Sequence, residues 1–375
     1  MRFNAEASDL NAGMSLVSHA ISARPIREVF SNVQVECASD GLFFTAMDGE
    51  MTIRTRVEAT IAEEGIALLP AKIFADLLRT LSGSVDITIG NDFRATVRAM
   101  GSHTSLAGTD AAEFPDVNSI SEKECTFEVT LPQSRLRDAV SSVSFAIATD
   151  ETRRILTGCL MEAEPNETRF VGLDGFRLAL QRIENENRLP DGSSMMSAVI
   201  PGRIMTEFCR MLGDTEESAV IRCAAKRMCM SFNNTECYST LLSGEYINYR
   251  QILPSGCLSQ AVVRKDELTK AIERASLMAR LGRNNLLRLS LTREEMVLSA
   301  NSEVGSAHET IPVNYSADEF KIAFNARYLS DVVRNVESDE MVMKFNTGIS
   351  PCTITPVEGN SFIYLVLPVR VVNEG

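Results

Sequence analysis

The sequence predicts an α+β fold in which one domain occurs three times in tandem, each copy combining antiparallel sheet with two helices. Two repeated helices and a repeated turn signal carry this prediction, at a period close to one third of the 375 residues. The length also suits two or three domains of ordinary size. We expect domains at residues 1–121, 122–255 and 256–375.

The first repeated helix lies near the start of each third. Its apolar or small residues fall at relative positions 0, 3, 4, 7 and 10, which is the spacing of an amphipathic helix. The three copies start at Leu10, Leu136 and Leu268. Basic residues also lie close to these helices, among them Arg24 and Arg137.

The second repeated helix carries two basic residues, Lys or Arg, seven positions apart in every copy. At about 100° per residue, such positions differ by only about 20° around the helix axis, so both basic side chains project from one face. For a single helix, a solvated polar face is the commoner interpretation. The same pair of basic residues recurs three times in a chain of formal net charge -13. This recurrence instead favours surfaces that bind the backbone phosphates of a nucleic acid. These basic stripes are Lys72 and Arg79, Arg203 and Arg210, and Arg327 and Arg334.

Short β-rich runs surround the helices in each copy. A turn signal between such runs recurs as Asp48-Gly49, Asp174-Gly175 and, more weakly, Asn301-Ser302. Further alternating runs follow each second helix, at 85–89 and 93–97, 219–223 and 228–232, and 341–345 and 352–355. Consecutive short strands with two helices per copy favour antiparallel sheets layered on helices over parallel βαβ winding.

Composition narrows the protein class. No stretch approaches the roughly 18 apolar residues of a membrane span, and early charges at Arg2, Glu6 and Asp9 are unlike a signal peptide. We therefore expect a cytoplasmic protein with no membrane partner. The nine cysteines include no C-x-x-C pair, which favours reduced core residues over disulfides or a zinc site.

Catalytic and cofactor motifs are missing from the sequence. The three histidines, His19, His103 and His308, have no Cys or carboxylate at ligand spacing, and neither common phosphate-binding glycine loop occurs. Carboxylate pairs such as Glu63-Glu64 stand in polar, turn-like stretches. We expect a non-catalytic protein with no cofactor and no metal. An enzyme built on irregular carboxylates is an alternative left open.

Short motifs spread over essentially the whole chain resemble the bacterial DNA polymerase III beta subunit, the sliding clamp. The resemblance implies three DNA-clamp domains and a ring-shaped head-to-tail homodimer, with sheets outside and helices inside around double-stranded DNA. It places the basic stripes against the DNA and adds Arg153, which matches a DNA-contacting loop of the family. The motifs are Ala23-Arg24-Pro25, Glu113-Phe114-Pro115-Asp116, Asp174-Gly175-Phe176-Arg177-Leu178-Ala179, Tyr249-Arg250-Gln251-Ile252-Leu253-Pro254, Phe324-Asn325-Ala326-Arg327-Tyr328-Leu329 and Leu367-Pro368-Val369-Arg370.

The resemblance also implies a hydrophobic pocket between the second and third domains. It would capture short peptides of the replicative DNA polymerase catalytic subunit, the clamp loader complex and repair proteins. An interaction scaffold that uses this pocket but never encircles DNA is a second alternative left open. Taken alone, Leu156 and Ile252 are interpreted equally well as core residues. Carried over residue by residue, this peptide pocket consists of Leu156, Leu173, Gly175, Phe176, Arg177, Leu178, Ile247, Gln251, Ile252, Asn325, Tyr328, Leu365, Leu367, Pro368, Val369 and Arg370.

Several positions depart from the family's usual pattern. In the pocket, the departures leave the preferred peptide open; they are Leu173, Phe176, Ile247 and Gln251, where Thr, His, Pro and Arg are usual. The tail from Val372 to Gly375 extends past the usual end of the family. The resemblance implies a dimer seam that joins Leu106 and its neighbours to Leu277 and Met278 of the other subunit. Thr104, where the family often has Phe, leaves the strength of this seam open.

Overall fold

The helices follow the predicted pattern of two per repeat. The structure is a computed structural model that describes residues 1–117 and 119–370, with the side chain of Arg283 left out. Short 3-10 helices lie at Ser18–Ala20, Glu28–Ser31, Glu151–Thr157, Tyr249–Gln251 and Arg283–Asn285. The α-helices in this part of the chain are α1 (Ala7–Val17), α2 (Ala71–Arg79), α3 (Gln133–Ser144), α4 (Gly202–Arg210), α5 (Lys265–Ala279) and α6 (Ala326–Arg334).

The chain forms two compact units whose division runs through the second repeat. The first unit comprises residues 1–136, 187–193 and 203–241, and the second comprises residues 137–186, 194–202 and those from 242 onward. These units are groups of residues in contact, whereas the predicted domains are sequence repeats. The domain bounds near residues 121 and 255 therefore stay a prediction.

The first unit contains two antiparallel sheets. The smaller has the strand order β5 (Thr60–Glu63), β1 (Arg2–Glu6), β7 (Ser84–Ile89), β8 (Arg94–Ala99) and β9 (Ser102–Ala107). The larger has the order β14 (Asn187–Arg188), β10 (Phe127–Pro132), β16 (Ser218–Cys223), β17 (Arg227–Phe232), β18 (Thr235–Thr240), β4 (Met51–Val57), β3 (Gly41–Met47), β2 (Asn32–Ala38) and β6 (Gly65–Pro70).

The second unit also contains two antiparallel sheets. The larger has the strand order β15 (Met196–Pro201), β11 (Gly158–Glu164), β12 (Glu167–Leu173), β13 (Arg177–Glu184), β27 (Phe362–Val366), β26 (Cys352–Pro356), β25 (Glu340–Phe345), β19 (Ser259–Arg264) and β23 (Asn314–Tyr315). The smaller has the order β22 (Gly305–Pro312), β21 (Glu295–Ser302), β20 (Leu286–Thr292) and β24 (Glu319–Asn325).

The two nine-stranded sheets have the same topology. In each, four strands of one repeat are joined edge to edge with five strands of the next. β4 pairs with β18 at this junction in the first unit, and β13 pairs with β27 in the second. The outer pairs β2–β6 and β11–β15 also match. The sequence repeat is thus a structural repeat, and each larger sheet belongs to two copies of it.

The predicted apolar faces of the first helices are buried. In α1, Leu10, Met14 and Val17 are almost fully covered, and in α5 the same holds for Leu268 and Ile272. Burial of one such side chain contributes about 1.5–3 kcal/mol. These helices are therefore held mainly by the sheet on which they pack.

Two of the three predicted turns are confirmed. Gly49 and Gly175 have φ of +100° and +91°, a region that glycine enters without strain. Asp48 and Asp174 each accept two backbone N–H bonds within their turns. The turn predicted at Asn301-Ser302 is wrong, because β21 continues through both residues and its partner β22 begins at Gly305. Without an Asp-Gly pair to bend the chain early, the hairpin closes two residues later.

Candidate nucleic-acid and peptide-binding sites

All six bases of the basic stripes are exposed on the outer faces of their helices. Amphipathic spacing explains this placement, because the opposite face of each helix is apolar and buried. Phe74 and Leu78 fill the core beneath α2, and Ile204 and Phe208 do so beneath α4. The lysine and arginine side chains are therefore available to an anionic ligand.

Four of the six stripe bases contact carboxylates of their own chain. Such exposed ion pairs contribute only about 0–1 kcal/mol, so a phosphate group can compete with them. They nevertheless lower the net positive charge that the sequence pattern indicated. Arg79 pairs with Asp76 at 2.7 Å, Arg203 with Asp48 at 2.9 Å and Glu50 at 2.6 Å, Arg210 with Glu207, and Arg334 with Glu273 at 2.9 Å.

The bases outside the stripes differ in their surroundings. Arg24 and Arg153 are exposed, whereas Arg137 is partly buried and its Nε lies 3.1 Å from Asp138. Arg153 follows Asp150, whose carboxylate accepts the backbone N–H of Thr152 at 2.9 Å. The hydrogen bonds from Thr152 hold the pKa of Asp150 below its usual range. Asp150 thereby caps the 3-10 helix Glu151–Thr157, which carries Arg153.

A polar cleft between α5 and α6 brings Arg280 together with Arg327 and Arg334. Glu273 and Asp331 line the same cleft, so it contains charges of both signs. Sequence reasoning missed Arg280, which lies one residue past the end of α5 and outside the repeated spacing. A basic residue just past the end of one helix, facing basic residues on another, would have been the sequence signal for Arg280.

Several residues of the predicted peptide pocket form a buried apolar floor in the second unit. Leu156, Leu173, Leu178 and Leu365 belong to this floor, and Ile247 packs against it. Each of the four leucines is at most 3% exposed. They fill the core of the second unit and at the same time form the base on which a peptide side chain could rest.

The rim of the pocket presents apolar groups to solvent. Phe176 is 54% exposed, Ile252 is 38% exposed and Leu367 is 36% exposed. The ring of Phe176 stacks on Tyr328, with centroids 5.2 Å apart. Pro368 and Val369 are partly buried, and Gln251 and Arg370 are exposed. Exposed apolar side chains above an apolar floor are typical of an interaction site.

Backbone hydrogen bonds hold the end of the described chain beside this rim. The N–H of Leu367 donates to the carbonyl of Phe176 at 2.8 Å, and that of Val369 donates to the carbonyl of Ala323 at 2.8 Å. Gly175 has nothing within 4 Å of its Cβ position, so the turn leaves open space there. The segment that follows β27 thus forms one wall of the pocket.

Arg177 and Asn325 serve the structure beneath the pocket. Arg177 is nearly buried and pairs with Asp174 at 3.0 Å and with Asp331. Its guanidinium also lies 5.0 Å from the ring centroid of Tyr328. Asn325 caps α6 by accepting the backbone N–H of Arg327 at 3.0 Å. Both side chains order the turn and the helix that shape the pocket.

The residues of the predicted dimer seam lie on or beside edge strands. Leu106 belongs to β9, the last strand of its sheet, but its side chain is only 8% exposed. Leu277 of α5 is 59% exposed and Met278 is partly exposed. The helix packs beside β22, which ends the four-stranded sheet. Leu106 could therefore contribute backbone to a seam, while Leu277 could contribute its side chain.

The described residues place no group of three or more His, Cys, Asp or Glu side chains where they could hold a metal ion. Within the same residues, no helix is long and apolar enough to cross a membrane. Burial raises the pKa of the Cys159 thiol to about 12, so this cysteine stays protonated at neutral pH. The tail from Val372 to Gly375 lies outside the described residues.

Comparison with known proteins relates the whole chain to one family. Models of the N-terminal, central and C-terminal domains of the DNA polymerase III beta subunit match residues 1–118, 130–248 and 250–370. The beta sliding clamp of Bacillus subtilis is 28% identical over 382 residues, with 99% of this chain and 100% of the relative covered. That of Synechococcus elongatus is 29% identical, with 99% of each chain covered.

A solved structure agrees with the sequence matches. The crystal structure of the Bacillus subtilis DNA polymerase sliding clamp aligns with a TM-score of 0.92 at 28% identity, covering 99% of this chain and 100% of that chain. The three domain models match the three repeats in order, and the relatives align with almost the whole chain. The chain therefore belongs to the DNA polymerase III beta subunit family, the sliding clamps of DNA replication, which are non-catalytic accessory subunits of that polymerase.

Proposed function

We propose that this clamp closes, with a second copy placed head to tail, into a ring around double-stranded DNA and thereby keeps its polymerase on the template. The observation that carries the DNA part of the proposal is the recurrence of two exposed bases at matching places on α2, α4 and α6. As a replication factor of bacterial type, the protein would act in the cytoplasm, with no membrane partner.

The chemistry of the basic stripes suits loose contact with the DNA backbone. Lysine and arginine bind phosphates without reading sequence, and this interaction supplies nearly all of non-specific affinity. Because most stripe bases already have a carboxylate partner, each phosphate contact replaces an existing weak ion pair. Exchange of this kind keeps the contacts easily broken, as sliding requires.

The peptide pocket suits short segments of partner proteins. Its buried leucine floor and exposed apolar rim could bury one or two large side chains, and a few such anchors supply most of the energy of an interface. We propose that the replicative polymerase catalytic subunit, the clamp loader complex and repair proteins bind there. Phe176 and Gln251 would then adapt the pocket to the peptides of this organism.

Reversal of the charge of Arg79, Arg210 and Arg334 to Glu should impair clamp loading onto DNA and leave the dimer intact. Each lost phosphate contact is expected to make the plot of log affinity against log salt shallower by about 0.9. The measurement is loader-dependent retention on nicked circular DNA over a series of salt concentrations, with light scattering to follow the dimer.

A matched control reverses three exposed arginines that lie on strands or turns, Arg56, Arg188 and Arg293. It changes the net charge by the same amount but should load normally. Equal loading of the stripe variant and the unaltered protein would refute the role of the basic stripes. Equal impairment of both variants would trace the effect to total charge.

The Leu277→Asp substitution should convert the dimer to monomer. Leu277 is 59% exposed in the single chain, so the subunit should fold normally. An unpaired carboxylate buried in the seam would cost about 3 kcal/mol, or roughly a hundredfold in the dissociation constant. Light scattering after size exclusion gives the mass, with Ile349→Asp at another exposed apolar position as the control. A protein that is monomeric before any substitution would instead favour the scaffold that never encircles DNA.

A further inference from the structure

A second pocket lies in the first unit, beside the turn Asp48-Gly49 and strands β17 and β18. Its floor consists of Phe30, Met47, Met228 and Tyr238, which are all buried. Neither the basic stripes nor the peptide pocket includes any of these residues. An apolar floor open to solvent is a feature that the proposed function does not use.

The strand registers show that this pocket is the counterpart of the peptide pocket in the preceding repeat. Thr52 pairs with Tyr238 across β4 and β18, as Leu178 pairs with Leu365 across β13 and β27. Asn32 pairs with Pro70 as Gly158 pairs with Pro201. Counting along the chain from these pairs, Phe30 corresponds to Leu156, Met47 to Leu173, Gly49 to Gly175, Glu50 to Phe176 and Thr240 to Leu367. The segments Glu113-Phe114-Pro115-Asp116 and Glu245-Tyr246-Ile247-Asn248 match in turn, which places Pro115 opposite Ile247.

The two pockets share an apolar floor but differ at the rim. Glu50 stands where the peptide pocket has Phe176, and Thr240 stands where it has Leu367. Asp116 adds another exposed carboxylate to the lining. The rim is thus apolar in the peptide pocket but polar and acidic in the second pocket.

The charges around the second pocket favour a cationic ligand. Arg203 contacts Asp48 and Glu50, and Arg227 contacts Glu124 at 2.9 Å. The guanidinium of Arg27 also lies 5.4 Å from the ring centroid of Phe30. With Asp116, four carboxylates face three guanidinium groups, which leaves a formal charge of about -1. An apolar group is also present at the rim, because Ile26 is 78% exposed and lies against Gly49.

We propose that this second pocket binds a short extended peptide segment in which one large apolar side chain is flanked by Lys or Arg. The apolar residue would rest on Met47, Met228 and Tyr238, and the cationic neighbours would face Glu50 and Asp116. The proposal rests on the proposed peptide-binding role of the counterpart pocket. It adds a site with a charge preference of its own, since an acidic rim repels acidic peptides.

Methyl NMR tests the proposal directly, because two methionines line the pocket floor. The full-length dimer is labelled at the methionine methyl groups, and the signals are assigned with Met47→Leu and Met228→Leu variants. The probe is the blocked tripeptide Lys-Phe-Lys, and its matched control is Glu-Phe-Glu. The cationic peptide should shift both signals in a saturable way, while the buried Met343 of the second unit keeps its position.

Variants identify the group that selects the charge. Asp116→Lys should weaken binding of the cationic probe about two- to fivefold, which is the range for one exposed ion pair. Glu64→Lys, an exposed reversal outside the pocket, should leave the affinity unchanged. Thr240→Trp should fill the rim and abolish the shifts of both methionine signals.

Three outcomes would overturn the proposal. They are the absence of shifts at Met47 and Met228, equal affinity for both probes, and an Asp116→Lys variant that binds as tightly as the unaltered protein. The titration is repeated with Leu367 and Val369 replaced by Ala, and the shifts should persist there. Loss of the shifts in that variant would mean that the probe acts through the peptide pocket alone. Failure of the peptide pocket itself would appear separately, in the binding of polymerase peptide.

Discussion

Replacement of both Leu367 and Val369 by Ala should weaken the binding of a polymerase-derived peptide by about 30-fold. Truncation of an interface anchor typically costs 1 kcal/mol or more, and about 2 kcal/mol in total corresponds to that factor. Their backbone N–H groups donate to Phe176 and Ala323 and would still do so after truncation. The wall of the pocket should therefore keep its course while it loses its apolar side chains.

Fluorescence anisotropy with a labelled peptide from the polymerase measures this effect. The control replaces Leu258 and Val357, two exposed apolar residues of the same unit that lie outside the pocket, with Ala. That variant should bind the peptide normally. Unchanged affinity in the Leu367 and Val369 variant would remove the pocket assignment, whereas equal weakening in both would indicate a general effect on the surface.

A clamp loaded onto nicked circular plasmid should remain bound through gel filtration and leave soon after the plasmid is cut. A closed ring is held by its topology, so retention does not depend on tight contacts. The exposed ion pairs at Arg79 and Arg334 are of the weak kind that phosphates can replace. Once an end is available, such contacts cannot stop the ring from sliding off.

Blocked DNA ends provide the control for this experiment. A linear plasmid with biotin and streptavidin at both ends should retain the clamp about as well as the circle does. Loss at the same rate from circular, linear and end-blocked DNA would contradict encirclement. Retention on all three would indicate tight binding to the duplex, contrary to the expectation from the stripes.

The parts of the fold that follow from local periodicity could be predicted from the sequence. Leu10 and Leu268 begin apolar faces of the predicted spacing, and these faces are buried. The two Asp-Gly turns were predictable because glycine tolerates positive φ and aspartate caps the turn. The third hairpin was misplaced because Asn301 and Ser302 are weak turn residues, and strand pairing continued past them.

The distant partners of the charged residues could not be predicted, since they depend on contacts between separate parts of the chain. Arg203 is separated by 153 residues from Glu50, and Arg334 by 61 residues from Glu273. Only the neighbouring carboxylates Asp76 and Glu207 could be read from the sequence, because each stands three residues before its arginine on the same helix. The division of the pocket into floor and rim was equally hidden, because Leu156 and Leu367 are the same residue type in different surroundings.

The shared sheets limit what can be removed from this protein. A fragment that ends near residue 121 would lose β18, and residues 51–55 of β4 would become an open edge. An unprotected edge rich in β-branched residues is a template for aggregation. Each repeat thus shields its neighbour, which makes the tandem array cooperative and explains why a single copy would be a poor candidate for independent folding.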